Sequence, residues 1–312
     1  MRRSYRQLIP FGFIGLGEMG SRMAPNVFKN NDVTELIVYD VSAARVQQVI
    51  DAALKIGKRA TAAASVADVA LRSKTILTML PNGKIVADVY YNHLLPAVQP
   101  GGGTVLIDSS TIDPTTSREI SEAASQKGCL FFDAPVSGGV NGAAAGQLTF
   151  MVGASDAATF RVAEKWLTGL SKSVVHCGPV GCGQVCKLCN NLILGQHMVA
   201  VSEAMLLGTR LGVDPKTLAG VVNTSTGRCW SSDSYNPFPG VIPTVPSSNE
   251  YRGGFAAALM LKDLGLALQA AKTAKLEVRG GERAHEVYAE MVNTAKMGEL
   301  DFSGILKYID NK

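Results

Sequence analysis

Lys187 is the charged residue with the least comfortable neighbourhood in the chain. Leu188, Leu192 and Ile193 follow it on a stretch that is apolar almost throughout, and Asn191 stands at i+4, one turn along the same helical face. An ammonium in such surroundings is costly unless it is partnered or used. Desolvation and a nearby cationic ring would each lower its pKa from the ordinary ~10.4, making the neutral amine accessible as a general base. The bland alternative is a lysine that snorkels from a helix edge. Lys262-Asp263, on a later apolar segment, is a similar pair, placed to close a cleft from the second domain.

A second cluster has the chemistry of phosphate binding. Gly15-Leu16-Gly17-Glu18-Met19-Gly20 matches G-x-G-x-x-G, a weak signal by itself in a chain with 32 glycines. Its context strengthens it: an apolar strand runs into the motif and a helix opens from it. The first glycine permits the turn, the second lets a pyrophosphate approach the backbone, and the third lets helix pack on strand. A helix N-terminus then offers free N–H groups and partial positive charge. The next strand ends in Asp40, which can accept hydrogen bonds from ribose hydroxyls and would repel a 2′-phosphate, favouring NAD over NADP. Asp40 could instead be a helix N-cap, and Arg45 nearby weakens the discrimination.

Other candidates follow strands and so belong to the same crevice, since ligands of open α/β sheets bind beyond the carboxyl ends of strands. They are Met79-Leu80-Pro81, Ser109-Ser110-Thr111 and Asp133-Ala134-Pro135-Val136-Ser137-Gly138-Gly139. Ser137, Gly138 and Gly139 offer a hydroxyl and unobstructed N–H groups, which suit a carboxylate or phosphate. Ser109 to Thr111 could also be plain caps for a helix at Pro114. His176, Cys177, Cys182, Cys186 and Cys189 lie close in sequence, but no CxxC pair repeats at zinc-ribbon spacing. No metal is expected, and the cysteines read as small buried apolar residues.

The elements that would position these residues form a regular alternation. Strands are expected at Phe11–Leu16, Glu35–Tyr39, Thr75–Leu80, Thr104–Asp108, Leu130–Asp133, Leu148–Val152 and Val174–Cys177. Between them lie helical stretches, among them Gly20–Lys29, Ala43–Lys55 and Pro114–Lys127. Alternation of this kind implies an α/β fold, a Rossmann-type parallel sheet with helices on both sides. Past Gly178 the pattern becomes helical. Residues 183–211 read as one long helix, apolar nearly all round and therefore buried between other elements, joining the sheet domain to an all-α C-terminal domain. The expected domains are 11–180 and 181–312, preceded by a basic leader or tail over 1–10.

Composition sets the outer bounds. Hydrophobic residues make up 46% and charged ones 18% of the 312, which excludes intrinsic disorder. A net charge of +4 without a dense basic run gives no reason to expect nucleic-acid binding. Apolar runs are interrupted short of ~18 positions, so no membrane span is expected. Six cysteines and no secretory h-region suggest a reduced intracellular compartment. Arg2, Arg3 and Arg6 with no acid in the first ten residues fit a short mitochondrial presequence; a basic tail on a cytoplasmic protein is the alternative.

Four stretches resemble the β-hydroxyacid dehydrogenase family: Gly12 to Gly20, Phe132 to Gly139, Gly183 to Asn191 with its Lys-x-x-Asn-Asn, and Leu261 to Ala267. Asp108 to Pro114 and Ser225 to Pro237 resemble the members that act on 3-hydroxyisobutyrate. The resemblance implies NAD-dependent oxidation of (S)-3-hydroxyisobutyrate to methylmalonate semialdehyde, a step of valine breakdown, in a homodimer or homotetramer. It also implies Lys187 as catalytic base, Asn191 as the substrate-orienting amide, and Ser137 to Gly139 as the carboxylate loop. In that family, the positions of Leu80, Pro81, Thr111 and Lys262 contact NAD, which the resemblance implies for this chain as well. One position departs: where the family often has a cofactor-touching Asn, this chain has Ile85, with Asn82 a possible substitute. Rival readings are a reductase of the same family for tartronate semialdehyde, glyoxylate or succinic semialdehyde, a phosphogluconate-type decarboxylase, or a non-catalytic NAD(P)-binding module.

Overall fold

The computed structural model describes residues 9–312. The basic segment 1–10 lies outside the described residues, except that Ile9 and Pro10 open the first strand. The strands are β1 (Ile9–Ile14), β2 (Val33–Tyr39), β3 (Arg59–Ala62), β4 (Thr75–Thr78), β5 (Val105–Asp108), β6 (Leu130–Asp133), β7 (Val136–Ser137), β8 (Leu148–Gly153) and β9 (Ser171–Gly178). They form one sheet in the order β3-β2-β1-β4-β5-β6-β8-β7, with β9 paired to β8. Pairings from β3 through β6 are parallel, whereas β8 runs antiparallel to β6 and β7. The strand order reverses between β1 and β4, which is the topological switch point of a doubly wound sheet.

Successive residues along each central strand feed two separate cores. Phe11, Phe13, Leu36, Val38, Leu77, Ile107 and Phe132 pack on one face, and Ile14, Ile37, Ile76, Leu106 and Phe131 on the other. That period of two, apolar on both faces, explains why these strands read as continuous apolar runs. Truncating Phe132, which is 1% exposed, to Ala falls in the class that costs about 3–5 kcal/mol. β3 and β7 were not expected. β3 is a half-exposed edge strand, Arg-Ala-Thr-Ala, and β7 is two residues long, so neither carries an apolar pattern.

The sheet unit carries α1 (Gly20–Met23), α2 (Ala43–Lys55), α3 (Val66–Arg72), α4 (Gly83–Asp88), α5 (Leu95–Ala97), α6 (Pro114–Gln126), α7 (Gly139–Ala145) and α8 (Ala157–Leu167). Gly20–Lys29, expected as one helix, is a single α turn followed by a 3-10 segment over Ala24–Lys29. Pro25 supplies the reason, because it lacks the N–H that a continuing α-helix needs. Beyond β9 come α9 (Cys182–Arg210), α10 (Pro215–Asn223), α11 (Trp230–Asp233), α12 (Ala257–Thr273), α13 (Arg279–Ala289) and α14 (Ile305–Asp310). The chain folds as two compact units divided between Lys187 and Leu188, within α9.

α9 corrects one expectation. Leu188, Asn191, Gly195, Met198, Ser202 and Met205 are buried at helical spacing, but Ile193 and Leu207 on the other side are 53% and 63% exposed. The helix is therefore one-sided in this chain and not buried all round. By length and composition it is also apolar enough to cross a membrane, although its apolar runs are broken by polar residues well short of 18 positions. The core helix of a soluble protein passes the same test, and the buried stripe here is covered by the chain's own residues. Met198 and Val199 pack with Met260, Leu264, Tyr288 and Phe302, while Val201, Met205 and Leu206 pack with Ala219 and Leu306.

Candidate active site

The turn after β1 is built by close contacts that only glycine allows. Gly15 has φ +91°, and a Cβ on it would lie 2.3 Å from the Met79 carbonyl oxygen. A Cβ on Gly20 would lie 2.0 Å from the carbonyl oxygen of Gly15. Gly17 differs: the nearest group to its Cβ position is the far end of Arg45, at 3.3 Å, so its cradle is open to a ligand. A pyrophosphate fits there, against backbone with no side chain in the way. Leu16 donates its N–H to Asp40 Oδ2 at 2.6 Å, and Ser42 donates to Oδ1 at 2.8 Å. Ser42, and not Asp40, occupies the N-cap position of α2. Asp40 thus clamps the glycine turn, and a carboxylate with about four acceptor sites can still receive ribose hydroxyls. The Leu16 side chain is fully buried in the core and Met19 packs against it, so those two present backbone to the cradle. Arg45 stands 3.8 Å from Glu18.

The neighbouring strand ends are knitted by a buried carboxylate. Asp108 Oδ1 accepts from Ser110 Oγ at 2.6 Å and Thr78 Oγ1 at 2.7 Å, and Thr78 also meets Tyr90 Oη at 3.0 Å. Ser110 Oγ accepts the N–H of Leu80 at 2.8 Å, which fixes the Leu80-Pro81 backbone. Burial pushes the Asp108 carboxyl up to about 6, against the pull of those hydrogen bonds. Asp113 caps α6 through the N–H of Thr116, so Ser109 to Thr111 are not its caps. Asn82 caps α4 by accepting the N–H of Ile85, and Ile85 itself is 39% exposed.

Lys187 comes to the Ser-Gly-Gly loop. Its Nζ lies 3.5 Å from Ser137 Oγ, and the residue is only 9% exposed. Gly138 and Gly139 follow with φ of 135° and 62°, turning the chain from β7 into α7. The start of α9 is held by Asp133, whose Oδ1 accepts from Gly181 N at 2.8 Å and Oδ2 from Gln184 N at 2.9 Å. Burial pushes the Asp133 carboxyl above its ordinary value despite those donors. Gln184 donates from Nε2 to the Ser110 carbonyl at 2.9 Å and accepts from Ile112 N at 3.2 Å. Gly183 permits the approach, since a Cβ there would lie 2.2 Å from the Met151 carbonyl oxygen.

In the helical unit, Asn191 donates to Asp263 Oδ2 at 2.6 Å and Lys262 pairs with Asp263 Oδ1 at 3.1 Å. One buried acid therefore orients both residues that the sequence singled out there. Sequence reading missed Asp263 as an orienting group, and with it Asp108, Asp133 and Gln184; the legible signal was an acid or amide set in an apolar run. The cysteines depart from expectation: Cys186 and Cys189 are exposed, and Cys177 and Cys182 are half-buried. Cys186 and Cys189 sit on the exposed side of α9, Cys182 at its start and Cys177 in β9. Among the described residues no group of three or more His, Cys, Asp or Glu is placed to hold a metal.

A doubly wound sheet whose switch point carries an open glycine cradle defines the class: a dinucleotide-binding oxidoreductase with a helical C-terminal unit. Residues 10–178 match the family described as the NAD binding domain of 6-phosphogluconate dehydrogenase, and residues 181–309 match the one described as NAD-binding of NADP-dependent 3-hydroxyisobutyrate dehydrogenase. The chain is 47% identical over 301 residues to a probable mitochondrial 3-hydroxyisobutyrate dehydrogenase of Dictyostelium discoideum, covering 96% of this chain and 90% of that one. It is 44% identical to the mitochondrial 3-hydroxyisobutyrate dehydrogenase of Bos taurus, covering 98% and 88%. Among solved structures, the Mycobacterium tuberculosis 3-hydroxyisobutyrate dehydrogenase with L-serine superposes with a TM-score of 0.86 at 35% identity, covering 97% and 99%. The chain belongs to the 3-hydroxyisobutyrate dehydrogenase family.

Proposed function

We propose that this chain oxidises (S)-3-hydroxyisobutyrate to methylmalonate semialdehyde with NAD, using Lys187 as the general base. The observation that carries the reading is the Lys187 amine, nearly buried, 3.5 Å from the Ser137 hydroxyl at the mouth of the sheet. Bound nicotinamide supplies the chemistry by taking a hydride from the alcohol carbon. Gly15, Gly17 and Gly20 seat the pyrophosphate, Asp40 receives the ribose hydroxyls, and the Leu80-Pro81, Thr111 and Lys262 positions complete the cofactor contacts. Asp40 presents a negative charge where a 2′-phosphate would stand, which supports NAD over NADP. Ser137 and the N–H groups of Gly138 and Gly139 hold the substrate carboxylate. Lys187 Nζ, as neutral amine, removes the hydroxyl proton as the carbonyl forms. Asn191, oriented by Asp263, contributes the amide that the family resemblance assigns to substrate orientation.

Replacing Lys187 with Ala tests the base. NAD binding, followed by calorimetry, should stay within about threefold of the wild type, while turnover falls by about a hundredfold or more. A variant that keeps over a tenth of the wild-type rate would sink the assignment.

L-Serine is a second reading, favoured by the Mycobacterium relative solved with it. It shares the carboxylate and the 3-hydroxyl and differs only in carrying an ammonium where 3-hydroxyisobutyrate carries a methyl. We also propose a homodimer or homotetramer in the mitochondrial matrix. The exposed apolar side of α9 supports the assembly, and Arg2, Arg3 and Arg6 with the mitochondrial names of relatives support the location. A monomer in sedimentation velocity, or a cytosolic signal from a C-terminally tagged chain, would contradict these.

A further inference from the structure

We infer that Gln184 is a positioning residue for catalysis: its buried side-chain amide locks the helix that carries Lys187 to the Ser110–Ile112 loop, and so sets where the base stands. The inference rests on reading Lys187 as the base. Gln184 is fully buried, and an amide without partners there would cost roughly 1–3 kcal/mol, so its presence needs a use. Its side chain meets both peptides that flank Thr111. Nε2 donates to the Ser110 carbonyl at 2.9 Å, and Oε1 accepts the Ile112 N–H at 3.2 Å.

The same residue is anchored from behind, because its own N–H is donated to Asp133 Oδ2 at 2.9 Å. Asp133 ends β6 and Ser110 follows β5, so two adjacent strand ends grip one residue of α9. Lys187 stands three positions on, where i and i+3 side chains lie on one face of a helix. On the far side, Ser110 Oγ accepts the Leu80 N–H at 2.8 Å. One buried amide therefore couples the loops proposed to meet the nicotinamide cofactor to the residue proposed to take the proton. An apolar side chain of the same length would fill the volume but leave the helix free to shift against that loop. A displacement of about 1 Å at a reacting group can cost about a hundredfold in rate.

Two variants of the full-length enzyme test this, each measured for kcat, KM and melting temperature across pH 6–9. Gln184→Met keeps length and removes both hydrogen bonds. Its kcat should fall at least tenfold at every pH, with KM for 3-hydroxyisobutyrate and the affinity for NAD within about threefold of the wild type. Gln184→Glu is isosteric and restores the donor only when protonated. Burial beside Asp133 raises a carboxyl there, so the ratio of its kcat to wild type should be highest at pH 6 and fall as pH rises. Simple loss of packing would give no such rescue by acid. If Gln184→Met folds and keeps its kcat within threefold, or the Gln184→Glu ratio is flat with pH, the positioning role is wrong. Lys187→Ala run alongside separates the two ideas: an inactive Lys187→Ala leaves the base reading standing while Gln184 fails alone, and an active one overturns both.

Discussion

Asp108 is a residue whose charge the fold tolerates poorly. It is fully buried, three donors converge on Oδ1, and Oδ2 has no hydrogen-bond partner. Its carboxyl is held up at about 6, above the ordinary value of 3.8, with desolvation the chief cause. Stability from its neutral form is fully present below the unfolded value and is lost as pH rises through about 6. Asp108→Asn removes that ionisation but leaves a partnerless amide, so it should be less stable than wild type at pH 4.5. The melting-temperature gap between the two should then narrow as pH rises to 7.5. A gap that stays constant or widens over that range would show that Asp108 does not titrate there. At this scale the sequence was legible where chemistry is local. Lys187, Asn191 and Ser137 stand out by their neighbours, whereas Asp263 and Gln184 gain their meaning from partners 72 or more positions away.

The glycine turn shows how an element is made by what it excludes. Gly17 and Gly20 look alike in G-x-G-x-x-G, yet they should fail differently. A methyl on Gly20 would collide with the Gly15 backbone, which cannot rotate out of the way as a side chain can. A methyl on Gly17 meets only the tip of Arg45, so the protein can absorb it but a pyrophosphate cannot approach. Gly17→Ala should keep its melting temperature within about 1–2 °C and weaken NAD binding at least tenfold, whereas Gly20→Ala should lose both, by about 1–3 kcal/mol in stability. Equal melting temperatures for the two variants would contradict this division. Helices were less legible than strands here, for a physical reason. Apolar residues on two-sided strands announce themselves, but α9 is apolar on its buried and its exposed sides alike, so its composition hides which side faces the chain. Pro25 was the overlooked signal that the helix after the turn stops being α after one turn.

At the scale of the molecule, low charge and abundant glycine take on separate meanings. Gly15, Gly20 and Gly183 stand where backbone meets backbone, and Gly17, Gly138 and Gly139 where the proposed ligands would approach. The low charge count includes a 29-residue helix with Ile193 and Leu207 outward, the apolar surface on which the proposed assembly rests. The parallel sheet with helices on both sides followed from the alternation of apolar runs and helices; β3 and β7 did not, because an edge strand and a two-residue strand bury too little to leave a pattern. NAD binding follows from the fold and the family, but the proposed substrate rests on a few side chains around Lys187. The most direct test is therefore the initial rate of NADH formation from (S)-3-hydroxyisobutyrate, 3-hydroxypropionate and L-serine, each with NAD and with NADP. The expected result is a kcat/KM for 3-hydroxyisobutyrate with NAD at least tenfold above every other combination. A preference for L-serine, or for NADP, would contradict the proposed substrate or the role given to Asp40.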